Sequence, residues 1–178
     1  MQTWVALLRG INVGGNNLVA MKTLCHIMTE AGYQDVKTYI QSGNVIFKHI
    51  ATEGDKLAAD LSALIQQHCG FYAKVMVFLA KDFSQIVASN PYSSLMTEAK
   101  QVHFFFVDEA LTSADLSKLA GLKSPTEAYE LSSYGLYLFA PQGIGRSKLV
   151  AKIDKCLGVS TTARNLNTLH KLAAMLAN

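Results

Sequence analysis

The sequence predicts an α+β protein, and three observations carry that prediction. Each half of the chain runs strand, helix, two strands joined by a tight turn, helix, strand. Its strand segments are apolar at nearly every position, as in sheets covered on both faces. The two hairpins also fall into line, since Gly43 and Gly135 stand 92 residues apart, as do Phe47 and Phe139. A β-α-β-β-α-β order is the ferredoxin-like unit. The chain therefore reads as two such subdomains in tandem, residues 1–90 with a connecting helix and residues 91–178 with a further C-terminal helix.

Residues 3–8 open the first copy as an apolar central strand. Arg9 to Asn17, RGINVGGNN, follows as a polar loop with one cation, three glycines and three asparagines, which can turn backbone N–H groups toward a ligand. Residues 21–31 are apolar at 21, 24, 25, 27, 28 and 31 and stop before Gly32, a helix with its C′ glycine. Strands at 36–40 and 45–48 flank the turn Gln41-Ser42-Gly43-Asn44. Thr52 to Asp55 has capping-box spacing before a helix with Leu57, Leu61, Leu64 and Ile65 on one stripe, ending at Gly70. A strand at 74–79 and a helix at 81–89 complete the copy, and Pro91 begins the linker.

The second copy places a strand at 102–107 and a helix at 114–120 behind Thr112-x-x-Asp115. A hairpin at 129–131 and 135–139, a helix at 147–157 ending at Gly158, a strand at 159–163 and a helix at 166–176 follow. Trp4 and Val102 stand 98 apart, so the first copy holds six more residues between its first strand and its hairpin, and the excess falls most naturally in the loop 9–17. An extra polar segment costs chain entropy without burying apolar surface, which function would explain. A loop that merely covers a sheet edge or caps the other subdomain is the plainer alternative.

Composition bounds the rest. At 178 residues, 50% of them hydrophobic, the chain folds unaided and buries roughly 70% of its unfolded surface. Its longest apolar run, residues 75–80, is too short to span a bilayer, and Arg9 breaks an N-terminal apolar run that no basic stretch precedes. These features predict a cytoplasmic protein with no membrane partner. Three cysteines without close pairing predict no disulfide framework, and Cys25 and Cys156 sit at core spacing in helices. Five histidines make no chelating arrangement, so no metal and no cofactor is expected. Charge is uneven: residues 146–178 hold six cations against Asp154 alone, leaving ten against twelve carboxylates in residues 1–145. A basic end on a neutral body fits an anionic partner or a solvated helix face.

Gly10 and Gly15 have the outer spacing of a phosphate-binding P-loop, but Asn16 and Asn17 stand where Lys and Ser or Thr belong, which excludes an NTPase. Gly-x-x-x-Gly-Gly is not a dinucleotide fingerprint either. Two polar clusters can join the loop, the turn 41–44 and Thr161-Thr162-Ala163-Arg164-Asn165. There Asn165 is a reasonable N-cap and Arg164 stands near free N–H groups at a helix start. Gly145-Arg146-Ser147-Lys148 is a second such helix start.

RGINVGGNN, VKTYIQSGNVIF, GRSKL and TTARNLNTLHKL together resemble the hallmark segments of the bacterial domain-of-unknown-function family 1697 along nearly the full chain. That resemblance implies two ferredoxin-like subdomains, adjoining or intertwined, and no particular activity. By motif match it implies ligand-binding positions at Arg9, Asn12, Gly14, Gly15 and Asn17, at Gln41, Ser42 and Asn44, and at Arg164, Asn165 and Asn167. Asn16 departs from the family's usual basic residue, Ala20 from its helix-opening Pro, and Leu166 from a Trp that could stack on a base.

Three readings compete. The favoured one is a site for a small polar or anionic ligand at the loop 9–17, and with no His or carboxylate in any of the three segments the sequence supports no reaction. Nucleic-acid binding is the second, resting on the basic C-terminal part and on Lys148, Lys152 and Lys155 sharing one helical stripe, against strands that lack the aromatic RNA-binding pattern. A homo-oligomeric or partner-binding module without catalysis is the third.

Overall fold

Continuous apolar strands settle into the middle of two antiparallel sheets in the computed structural model, which describes residues 1–177. Strands β1 (Gln2–Leu8), β2 (Gln34–Tyr39), β3 (Asn44–His49) and β4 (Val75–Leu79) form the first sheet, in the order β2-β3-β1-β4. Strands β5 (Val102–Phe106), β6 (Ala128–Ser132), β7 (Gly135–Phe139) and β8 (Thr162–Asn165) form the second, in the order β6-β7-β5-β8. In each sheet the opening strand lies between the third and fourth of its set. With the helices interleaved, both halves are βαββαβ units of the ferredoxin-like kind, followed by a C-terminal helix.

The chain divides into two compact units, residues 1–85 with 172–178, and residues 86–171. In the first, Trp4, Ala6, Leu8, Val45 and Phe47 pack against α1 (Met21–Glu30) through Leu24, Ile27 and Met28. They also meet α2 (Gly54–Cys69) through Leu57, Leu61 and Ile65. The i, i+4, i+8 spacing on α2 keeps those three on one stripe, and burying each contributes about 1.5–3 kcal/mol. Gly70 ends the helix in the left-handed conformation, donating its N–H to Gln66 O at 3.0 Å. Met175 and Leu176, from α6 (Leu166–Leu176), line a hollow of about 260 Å³ with Thr3, Ile46 and Phe47.

In the second unit, Phe105, Val107, Leu136 and Leu138 pack on Leu119 of α4 (Leu116–Leu122) and on Ile153, Cys156 and Leu157 of α5 (Ile153–Leu157). On the sheet's other face, the Phe104 ring meets Phe106 and Tyr137 edge-on, at centroid separations of 4.6 and 4.4 Å. Tyr137 Oη donates to Ile86 O at 2.7 Å. The remaining helix, α3 (Ala80–Ala88), follows β4 directly.

Several local expectations are corrected. The 92-residue offset slips by one side chain: Phe47 joins the helix-facing core of its sheet, whereas Phe139 alternates with Leu138 and lies on the opposite face. The extra length of the first copy is shared, with residues 9–20 linking β1 to α1 against 107–115 linking β5 to α4, and α1 running 10 residues against 7 in α4. No side chain caps α2, whose N-cap is Glu53, so the box predicted from Thr52 does not form. At α4 the cap is Asp115, which accepts the Lys118 N–H at 2.9 Å. The helix predicted at 147–157 is broken into a single 3₁₀ turn, Val150–Lys152, and then α5. Ser147 Oγ takes the Val150 N–H at 3.2 Å, and Lys152 leaves helical geometry at φ −125°, ψ 8°. Lys148, Lys152 and Lys155 therefore share no continuous helical stripe.

Candidate functional site

The loop after β1 is built by its own asparagines. Asn12 adopts φ 54°, and its side-chain amide donates to Val19 O at 3.0 Å and to Gln41 O at 2.9 Å while its Oδ1 accepts the Val19 N–H at 2.9 Å. Asn17, at φ 50°, donates its side-chain amide to Gly10 O at 3.0 Å and accepts the Asn12 N–H at 3.1 Å. Short polar side chains tolerate this left-handed geometry by bonding locally. At the tip, the Asn16 N–H returns to Val13 O at 3.0 Å across Gly14 and Gly15, at φ 57° and 80°. Positive φ at both central residues is the mark of a type I′ turn, which is why two glycines stand there.

The turn 41–44 lies against this loop. Leu8 donates its N–H to Gly43 O at 2.8 Å, and a Cβ added to Gly43, itself at φ 74°, would come within 2.6 Å of Leu8 Cβ and 2.8 Å of Ile11 Cδ1. Asn44 is fully buried and donates to Tyr39 O at 3.0 Å and Ser42 Oγ at 2.9 Å. Beside them Ile40 holds φ 50°, a conformation in which a β-branched residue is strained. Val13 in the loop, Leu18 just after it and Ile40 just before the turn are 65%, 67% and 51% exposed. Composition could not flag these three, because apolar residues in a polar loop read as buried anchors.

Arg9, Asn12, Gly14, Gly15, Asn17, Gln41, Ser42 and Asn44 thus all lie on two adjoining segments of the first unit, joined by the Asn12–Gln41 bond. Asn12, Asn17 and Asn44 spend side-chain donors on the scaffold. Arg9 is half-buried, and Asn16, Gln41, Ser42 and the Gly14-Gly15 tip are exposed. The N–H groups of Gly14 and Gly15 bond to nothing among the described residues.

Arg164, Asn165 and Asn167 belong to the second unit. Asn165 is the N-cap of α6, its Oδ1 accepting the Thr168 N–H at 3.0 Å, and Asn167 is exposed on the first turn. Arg164 directly precedes that N-cap, but its side chain is buried. It sits in β8 opposite Phe104, only 8% exposed, and donates to Thr162 Oγ1 at 3.1 Å and Ala163 O at 2.8 Å. Burial pulls its pKa down to about 10. Among the described residues, no group of three or more His, Cys, Asp or Glu could hold a metal ion, and no helix is long and apolar enough to cross a membrane.

A solved structure, the conserved bacterial protein SP0830 from Streptococcus pneumoniae, is similar to this chain over 98% of each, at 23% identity and a TM-score of 0.71, a likeness of fold. No curated protein matches the chain. The family described as "Protein of unknown function (DUF1697)" matches residues 1–137, so the segments GRSKL and TTARNLNTLHKL lie beyond the match. Because that match runs from β1 into β7, taking in the loop 9–17 and the turn 41–44, the chain belongs to the DUF1697 family.

Proposed function

We propose that the chain binds a small polar or anionic ligand at the loop 9–17 and the adjoining turn 41–44. One observation carries this reading: among the described residues four non-glycine residues have positive φ, and three of them gather here, Asn12 and Asn17 in the loop and Ile40 immediately before the turn. The two asparagines hold this geometry through their own bonds, whereas Ile40 is strained at a cost of about 1–2 kcal/mol, and such outliers concentrate where a surface must be held ready for a partner. Loop length carries less weight, since the connector after β5 is only three residues shorter. The two segments carry the Arg9 guanidinium, the Asn16 and Gln41 amides, the Ser42 hydroxyl and the two glycine N–H groups. They suit a carboxylate or phosphate, with Val13, Leu18 and Ile40 as apolar flanks. No carboxylate or imidazole lies on either segment, so the site as built binds and orients.

The test is a thermal-shift screen of the whole chain with phosphorylated and carboxylated metabolites. A ligand at a hundred times its Kd should add about 2.7 kcal/mol of stability, and Arg9→Ala should abolish most of that gain. Equal stabilisation of Arg9→Ala by every ligand that stabilises the wild type overturns the reading.

A second reading rests on the exposed Val13, Leu18 and Ile40, which also suit a protein partner or a second copy. Sedimentation showing a monomer at every accessible concentration removes its homo-oligomeric form. Nucleic-acid binding has less support, because Trp4 and Phe47 are buried in the helix-facing core and offer no stacking surface.

A further inference from the structure

We infer that the second subdomain carries a separate binding site for a small phosphate-bearing molecule, in a cleft between the α4–β6 connection and the segment that follows β7. The cleft encloses about 690 Å³, inside the range that takes a drug-sized ligand. It lies wholly within residues 86–171 and does not rest on the loop reading above.

Its charges are the first argument. Lys123, Arg146 and Lys148 line the cleft against a single carboxylate, Glu127. Glu127 is buried and already engaged: its Oε2 accepts the Ser124 N–H at 2.9 Å, and its backbone carbonyl accepts from Lys123 Nζ at 3.0 Å. Arg146 and Lys148 are exposed and make no hydrogen bond or ion pair with any described residue. Two uncommitted cations on a concave surface match a dianion. A guanidinium fork beside an ammonium suits the several oxygens of a phosphomonoester better than a lone carboxylate. Ser147 adds a donor, because its Oγ accepts the Val150 N–H and leaves its own proton free.

Two glycines are the second, independent argument. Gly121, inside α4, and Gly145 both border the cleft. Neither has a positive φ, and a Cβ built on either would meet nothing within 4 Å. Backbone geometry and packing therefore ask for glycine at neither place, and at Gly121 the helix is weaker for it. What the missing side chains do supply is open space on the wall of a cationic cleft, the space a bound phosphate and its cradle would fill.

The experiment uses the full chain with inorganic phosphate and adenosine monophosphate as probes, read by calorimetric titration and by melting temperature. Wild type should bind adenosine monophosphate, with inorganic phosphate competing. Arg146→Ala should weaken that binding roughly ten- to a hundredfold, the worth of one charge-assisted hydrogen bond to a charged group. Gly121→Ala should raise the melting temperature of the free protein by roughly 1–4 °C and yet bind the probe more weakly, a pairing that a merely structural glycine would not show. Arg9→Ala should bind here like wild type, which separates this site from the loop. No binding of either probe at millimolar concentration, unchanged affinity in the Arg146→Ala, Lys148→Ala double variant, or preferential binding of single-stranded RNA that phosphate does not displace would each overturn the proposal.

Discussion

Ile40 is where the structure departs furthest from what its residue type prefers. A β-branched side chain at φ 50° costs roughly 1–2 kcal/mol, so Ile40→Asn, which tolerates that geometry, should raise the melting temperature by roughly 2–4 °C per kcal/mol regained. A scan of the purified variant checks this, and a lowered melting temperature would mean that the exposed isoleucine packs on something. Asn12→Ala should do the reverse, since it strips the Val19 N–H of its acceptor and two carbonyls of a donor at once. An expected loss of about 1–3 kcal/mol is measurable by urea titration. The residue types of RGINVGGNN were legible as a special loop, but their use was not. Asn12 and Asn17 are spent on their own backbone and Gly14 and Gly15 on a turn, and hydrogen-bond partners are a property of the closed loop that no residue list contains.

Helices and strands were read from periodicity, and periodicity reports burial more faithfully than backbone path. Leu149, Ile153, Cys156 and Leu157 keep helical spacing and are all buried, so the pattern at 147–157 was satisfied although a 3₁₀ turn interrupts it. The hairpin alignment failed for a related reason. Gly43 and Gly135 each fit a turn chemistry, but a strand's side chains alternate, and an alignment even one residue out of step exchanges the two faces. Caps are equally sensitive to one residue. Asp115→Ala should cost about 0.5–2 kcal/mol, because it removes the acceptor for the Lys118 N–H, whereas Thr112→Ala should stay within about 0.5 kcal/mol. Denaturation midpoints of the two variants decide between the structure and the sequence-based capping pattern.

At the scale of the whole molecule, sheet order followed from element order, because the short connections and apolar strands leave few alternatives to the ferredoxin-like arrangement. One contribution to stability against acid comes from a residue that no motif or periodicity marks. His103 has a buried Nδ1 without a partner among the described residues, and desolvation holds its pKa below the ordinary 6.5. An unfolded chain then takes up more protons than the fold as the pH falls through 6.5, so stability present above 6.5 is lost on the way down to the folded pKa. Urea titrations at pH 7.5 and 5.0 should show that loss in the wild type and a smaller one in His103→Leu; equal losses in both would clear His103 of the effect.

The return of α6 to the first unit bears on how the protein is made. Residues 1–85 leave the ribosome early, but the unit they belong to is finished only by residues 172–178, with Met175 and Leu176 closing the hollow beside Thr3 and Phe47. At about 5–20 residues per second, translating the 86 intervening residues takes roughly 4 to 17 s. For that interval the nascent first unit waits with an open seam, which makes Met175 and Leu176 the residues whose arrival closes it.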